Sequence, residues 1–196
     1  MAVMAASAIP SDTSPAAPRE LLFVTSNADK LREARQILRR PVAGCALELE
    51  ELQTTELSRL VEHKAAQAYA AQRRPLFVED TALCFRAWRA LPGPFIKFFL
   101  ANLGPAGLVR ALAPFADMEA EAICGVGYHD GTQVRYFEGR VSGTIVPPAG
   151  TGGFGWDPIF RPHGHALSFA QMSDAQKHAL SMRGRALQAL ARHLDG

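Results

Sequence analysis

Cysteine is scarce in this chain. Cys45, Cys84 and Cys124 are the only three among 196 residues, and no two of them stand at metal-finger or redox spacing. Their odd number excludes a fully paired disulfide scaffold, so they read as reduced, buried thiols of a cytoplasmic protein. An excess of one charge is also missing, with 21 Lys and Arg against 19 Asp and Glu and a formal net charge of +2. That balance gives no reason to expect a nucleic-acid partner, although a local phosphate site is invisible in such a total. The apolar runs read as too short for a membrane span, so no membrane partner is expected. The first 19 residues lack the basic start and continuous apolar stretch of a secretory peptide. With Arg19 as their only basic side chain they fit an organelle-targeting segment poorly. A disordered tail or a misplaced start codon is the expectation for 1–19, and a single two-lobed domain for 20–196.

What is present is the composition of a folded globular chain, 48% hydrophobic and 20% charged. LLFVT, from Leu21, reads as a strand ending in Ser26-Asn27. Leu31, Ala34, Ile37 and Leu38 then repeat at helical spacing, with Asn27 or Asp29 as cap and Pro41 as stop. The alternation over Cys45–Glu51 predicts a second strand, and Leu57 to about Gln72 a longer helix. PLFVE, from Pro75, predicts a third strand ending at Glu79-Asp80, followed by less regular chain. Strand, helix, strand, helix, strand is the order of an α/β fold. After the LPGP turn at 91–94, helices are expected over FIKFFLANL and over Ala106–Leu112. Two strand-like runs then flank Asp130-Gly131, a hairpin signal. A helical region from Ser173 to about Leu194 closes the chain.

The loop Thr25-Ser26-Asn27-x-x-Lys30 lies where a strand enters a helix, the place at which α/β folds present backbone amides to anions. A hydroxyl, an amide and a lysine suit a polyphosphate; the plain reading is a helix cap followed by a solvated lysine. The glycines of a P-loop or dinucleotide fingerprint are absent from it. Glu48, Glu50 and Glu51 near one expected strand end and Glu79-Asp80 at another would supply hard oxygen ligands for Mg2+ if they converge. Asp80 could hold the ion or take a proton from water. Four glycines in six residues mark GTGGFGWD at 150–157. Phe154 or Trp156 could lie beside a flat partner there with Asp157 at its edge, or the two rings could simply plug the core. Lys177 and Arg183 are too far apart for one helical face, unless Ser181 ends one helix and caps another starting at Met182. Lys64 stands among alanines on the second helix.

Six segments, FVTSNADKLREARQIL, LFVEDTALCF, LPGPFIKFFL, SGTIVPPAG, FGWDPIF and QKHALSMRGRAL, together resemble in order the inosine triphosphate pyrophosphatase family over residues 21–191. The VEDT and LPGPFIKFFL segments look more like its eukaryotic and archaeal members. The resemblance implies an α/β fold with an elongated mixed sheet, flanking helices and two lobes around a nucleotide cleft, usually as a homodimer. It implies Mg2+-dependent hydrolysis of ITP, dITP and XTP between the α- and β-phosphates. By the same resemblance Thr25, Ser26, Asn27, Lys30 and Lys64 would line the triphosphate. Glu51 and Asp80 would be the metal and catalytic acids, with Lys30 beside them and Glu79 as a further metal candidate. Phe154, Trp156 and Asp157 would meet the base, and Lys177 and Arg183 the basic end of the pocket. The chain departs from the family pattern at Ser26, usually glycine, and at Gln171, His178 and Met182. Met182 stands in a usual Ser-His-Arg and has no donor for a purine 6-oxo group.

Overall fold

A computed structural model describes residues 20–196; the tail expected over 1–19 lies outside them. Among the described residues the strands are β1 (Leu21–Val24), β2 (Val42–Cys45), β3 (Leu76–Phe85), β4 (Pro92–Gly93), β5 (Glu119–His129), β6 (Val134–Ile145) and β7 (Phe160–Pro162). The α-helices are α1 (Ala28–Leu38), α2 (Leu57–Gln72), α3 (Ile96–Leu112), α4 (Asp174–Leu180) and α5 (Met182–Asp195). One sheet runs β2-β1-β3-β5-β6-β7, with β4 paired to β3. The β2-β1-β3 end is parallel and the rest antiparallel, so the expected mixed α/β sheet flanked by helices is the fold of the chain.

Alternation along β1 explains why both faces are covered. Phe23 points with Phe77 and Val126 into a core that Ala34 and Leu38 of α1 and Leu187 and Leu190 of α5 close. Leu22 and Val24 point the other way, into a cluster closed by Leu57, Leu60, Val61, Ala65 and Ala68 of α2. A period of two on the strands meeting a period near 3.6 on the helices accounts for both layers.

Two strand expectations need correction. The second strand is Val42–Cys45 rather than 45–51, because β1 offers a partner only from Leu21↔Val42 to Val24↔Cys45 before the chain turns into α1. The alternation beyond Cys45 belongs to a strap without regular structure, whose Leu47 and Leu49 pack beside the α2 cluster. The third strand runs on to Phe85, so Glu79 and Asp80 lie in its middle. β5 supports it along its whole length, Leu76↔His129 through Phe85↔Ala120, whereas β1 leaves it after Phe23↔Phe77. The edge of β3 that β1 vacates is where Glu79 and Asp80 stand. The Asp130-Gly131 hairpin forms as expected between β5 and β6.

The two short helices expected after LPGP are one element kinked at Gly104, whose φ of 64° a side chain would strain, and Pro105 follows it. By length and mean hydropathy the stretch Ile96–Phe115 does reach what a bilayer span requires, against the reading of the sequence. Lys97, Asn102 and Arg110 interrupt it, so no continuous apolar run reveals it. Ser181 ends α4 and caps α5, its Oγ accepting from the Gly184 amide at 3.0 Å. The break expected there is present, and it brings Lys177 and Arg183 to one place.

Candidate active site

A cavity of about 1010 Å3 opens between the β1–α1 turn, the strap, the middle of β3, the start of α3, the glycine-rich loop and the first turn of α5. Thr25, Ser26, Asn27, Lys30, Glu51, Lys64, Glu79, Asp80, Phe154, Trp156, Asp157 and Arg183 all line it. Lys177 does not. Glu48 also reaches the wall, while Glu50 does not.

At the β1–α1 turn Asn27 is the cap of α1. Its Oδ1 accepts from the amides of Asp29 at 2.9 Å and Lys30 at 3.0 Å, and Thr25 Oγ1 accepts from the Asn27 amide at 3.1 Å. Two helix amides that the sequence argument offers to an anion are therefore already satisfied. The donors left for a ligand are the Asn27 carboxamide nitrogen, the hydroxyls of Thr25 and Ser26, and the ammonium of Lys30. The helix-cap reading and the anion reading thus describe different atoms of the same residues.

Across from this loop, two carboxylates flank one ammonium. Lys64 Nζ donates to Asp80 Oδ2 at 2.8 Å and lies 3.6 Å from Glu51 Oε1, while Lys97 pairs with the other oxygen of Glu51. Asp80 Oδ1 accepts from the Thr81 amide at 2.9 Å. Burial pushes the Asp80 carboxyl up, but the Lys30 and Lys64 ammoniums outweigh it and hold it below its ordinary value. Asp80 is thus an anion at neutral pH, able to accept a proton or hold a cation.

Behind this surface sits a closed charge network. Arg183, 2% exposed, donates through Nε and one terminal nitrogen to both oxygens of Glu79, at 2.8 and 2.9 Å, and through the other to Glu33 at 2.5 Å. Lys177 donates to Glu33 at 2.7 Å and to Asp157 at 2.6 Å, and Lys30 lies 3.4 Å from Glu79. Three carboxylates therefore face three cations. Burial pushes the Glu79 carboxyl up, but Arg183 and then Lys30 overcome it and hold it at about 2. The expectation of Glu79 as a metal ligand is corrected on burial: its side chain has no exposure, against 18% for Asp80 and 38% for Glu51, and it serves as the counter-charge of Arg183. Lys177 is likewise a buried partner of Glu33 and Asp157 rather than part of the cavity wall.

The glycine-rich loop places aromatics both in the core and on the cavity wall. Trp156, 6% exposed, packs on Phe160 and Phe169 with ring centroids 5.5 and 6.4 Å away, so most of it is core. Phe154 is half-buried, with Lys177 and Arg183 4.8 and 5.2 Å from its ring centre. Asp157 Oδ2 accepts from the Phe154 amide at 2.7 Å, drawing the loop shut. Gly153 has φ 66°, and a Cβ there would stand 2.2 Å from that same oxygen. Met182, 2% exposed, belongs to the hydrophobic core and reaches the cavity wall beside Arg183. Gln171 closes a capping box with Ser168, and His178 does not line the cavity.

Sequence reading missed Glu33 and Lys97. Glu33 stands on the buried face of α1 next to Ala34, and an acid there is a signal that it has partners. Lys97 is a cation in the first turn of α3, where the helix dipole disfavours it, and this too was visible.

A Mg2+ ion fits this donor set on chemical grounds. Among the described residues no group of three or more His, Cys, Asp or Glu stands ready for a metal. Mg2+ does not require one, because it is commonly held by one or two carboxylates together with water and substrate phosphates. Asp80 and Glu51, already sharing the Lys64 ammonium, are two such oxygens.

The fold and the cavity define an α/β protein with a polar cleft in which a cationic loop faces two acids. The chain belongs to the Ham1 family, whose sequence model matches residues 21–193. It is 43% identical over 183 residues to the inosine triphosphate pyrophosphatase of Tuber melanosporum, covering 91% of this chain and 98% of that one. It is 41% identical to the inosine triphosphate pyrophosphatase of Saccharomyces cerevisiae, covering 89% and 95%. Among solved structures, a HAM1 protein from Coxiella burnetii superposes with a TM-score of 0.79 at 25% identity, covering 90% of this chain and 98% of that one. The nucleoside-triphosphatase and dITP/XTP pyrophosphatase of Mycobacterium abscessus does so at 0.67 and 27%, covering 88% and 98%.

Proposed function

We propose that this protein hydrolyses non-canonical purine nucleoside triphosphates, ITP, dITP and XTP, to the monophosphate and pyrophosphate, using Mg2+ held by Asp80 and Glu51. Family membership supports the reaction. The observation that carries the site is the pair of carboxylates around Lys64, facing the Thr25–Lys30 loop across one cavity. Thr25, Ser26, Asn27 and Lys30 bind the phosphate chain, with Lys64 and Lys97 as further cations. When bound, the ion neutralises phosphate charge and lowers the pKa of water. Asp80, kept anionic by Lys30 and Lys64, takes the proton of the attacking water. The water oxygen bonds to the α-phosphorus, the bond from that phosphorus to the bridging oxygen breaks, and pyrophosphate leaves with the electron pair. Phe154 and Asp157 contact the base, and Arg183 has guanidinium hydrogens left after its pairs with Glu79 and Glu33.

Met182 favours a second reading, relaxed selection among bases. A thioether donates nothing to a 6-oxo group, and one absent buried contact is worth about 1–3 kcal/mol, or about five- to 150-fold if it falls on the transition state. Pyrophosphate release from ITP, dITP, XTP, ATP, GTP, CTP and dUTP, each with Mg2+ and with EDTA, separates the two. Metal-dependent release concentrated on ITP, dITP and XTP supports the main proposal. Equal rates on the canonical bases would keep the chemistry and reject the selectivity, and release unaffected by EDTA would reject the metal.

A homodimer completes this reading. Phe98, Leu103 and Phe115, 54, 45 and 55% exposed, leave apolar surface on and just after α3 that a second copy would cover. Cytoplasmic location belongs to the proposal as well, supported by three cysteines that are all free.

A further inference from the structure

The strap between β2 and α2 carries Glu51, yet little holds its backbone. Among the described residues, no backbone-to-backbone hydrogen bond involves residues 46–55. Leu47 and Leu49 anchor it by packing, which fixes depth but not the direction of the following carboxylate. Lys64 and Lys97 draw the Glu51 carboxylate itself, and one side chain holds the backbone that carries it. Gln67, on α2, accepts from the Glu50 amide through Oε1 at 3.0 Å and donates from Nε2 to the Glu50 carbonyl at 3.2 Å. The same Nε2 lies 2.8 Å from His63 Nδ1, one helical turn back, which favours a single orientation of the carboxamide. A planar amide gripping both polar groups of one residue fixes the two peptide planes that flank it, and the second of them leads into Glu51. Lys64, which Glu51 approaches, lies on the same helix three residues before Gln67.

We infer that Gln67 is a positioning residue, orienting Glu51 as a metal ligand through the Glu50 peptide without touching metal or substrate. The inference rests on the proposal that Glu51 and Asp80 hold Mg2+. Glu51 has a long side chain on an irregular strap, 38% exposed, and its lysine partners Lys64 and Lys97 can follow it, so without the clamp its approach to Asp80 would loosen. Outer partners of metal ligands commonly set affinity in this way, their loss costing about ten- to 100-fold.

The test uses Gln67→Met, which keeps length and stem but removes both hydrogen bonds. Mn2+ affinity is read by electron paramagnetic resonance on the full chain with a non-hydrolysable α,β-methylene ITP analogue. Binding of that analogue without metal and far-UV circular dichroism are measured in parallel. The expected result is an Mn2+ affinity weakened about ten- to 100-fold, with metal-free analogue binding and the spectrum unchanged. Adding Gln67→Met to Glu51→Gln should weaken Mn2+ no further, because the residue acts only through Glu51. Unchanged Mn2+ affinity in Gln67→Met, or full additivity with Glu51→Gln, would overturn the positioning role while leaving the function standing. Wild-type protein that binds the analogue but no Mn2+ would overturn the metal proposal and this inference together.

Discussion

Asp80→Asn is expected to lower kcat by about 10²–10⁴-fold with a much smaller change in KM. Asparagine keeps the outline of the side chain and an oxygen for the Lys64 ammonium, now 2.8 Å from Oδ2. What disappears is the negative charge that Lys30 and Lys64 stabilise and that accepts a proton. The cationic loop that binds phosphates is untouched, so at saturating Mg2+ the loss falls on the chemical step. Steady-state kinetics on ITP, with circular dichroism as a folding control, checks this. A rise in KM at unchanged kcat would show that Asp80 contributes only to ground-state binding.

Arg183→Leu should be the most destabilising single change in the cavity wall. It would strand Glu79, 4% exposed, without its main counter-charge and leave Glu33, 2% exposed, with Lys177 alone. Breaking a buried ion pair from one side costs about 3–5 kcal/mol, which for a chain of this length lowers Tm by roughly 6–20 °C. The pH dependence has a definite sign. The Glu79 carboxyl is held near 2 in the folded protein against an ordinary 4.5. Its stabilising contribution is therefore fully present above the unfolded value and fades as the pH falls from there towards 2. The gap between wild type and Arg183→Leu should be widest near neutrality and narrow on acidification, as Glu79 protonates readily in the variant. Urea unfolding of both proteins at pH 7 and pH 4 measures it. A gap that is constant with pH would mean that Arg183 stabilises by packing rather than by charge.

Much of this was legible in the sequence wherever the cause is local. Asn27 before a helical repeat reads as a cap because an amide oxygen two and three residues from free N–H groups has that geometry. Ser181 between two helical stretches reads as a break for the same reason. Strand ends were less legible because partners decide them. β3 outlasts its hydrophobic run because β5, some way along the chain, pairs with it to Phe85, while β2 stops at Cys45 because β1 has run out. The charge network was harder still. Glu79 looks like a free metal acid until Arg183, 104 residues later, is seen to occupy both of its oxygens. Glu33 and Lys97 show only a misplaced charge in sequence, and their partners are supplied by the fold.

Cleavage between the α- and β-phosphates is read directly from phosphorus NMR of an ITP digest with Mg2+. Pyrophosphate and IMP resonances are expected to rise together, in equal amounts, with no IDP. Orthophosphate and IDP as the first products would place the cut between the β- and γ-phosphates and contradict the proposed reaction.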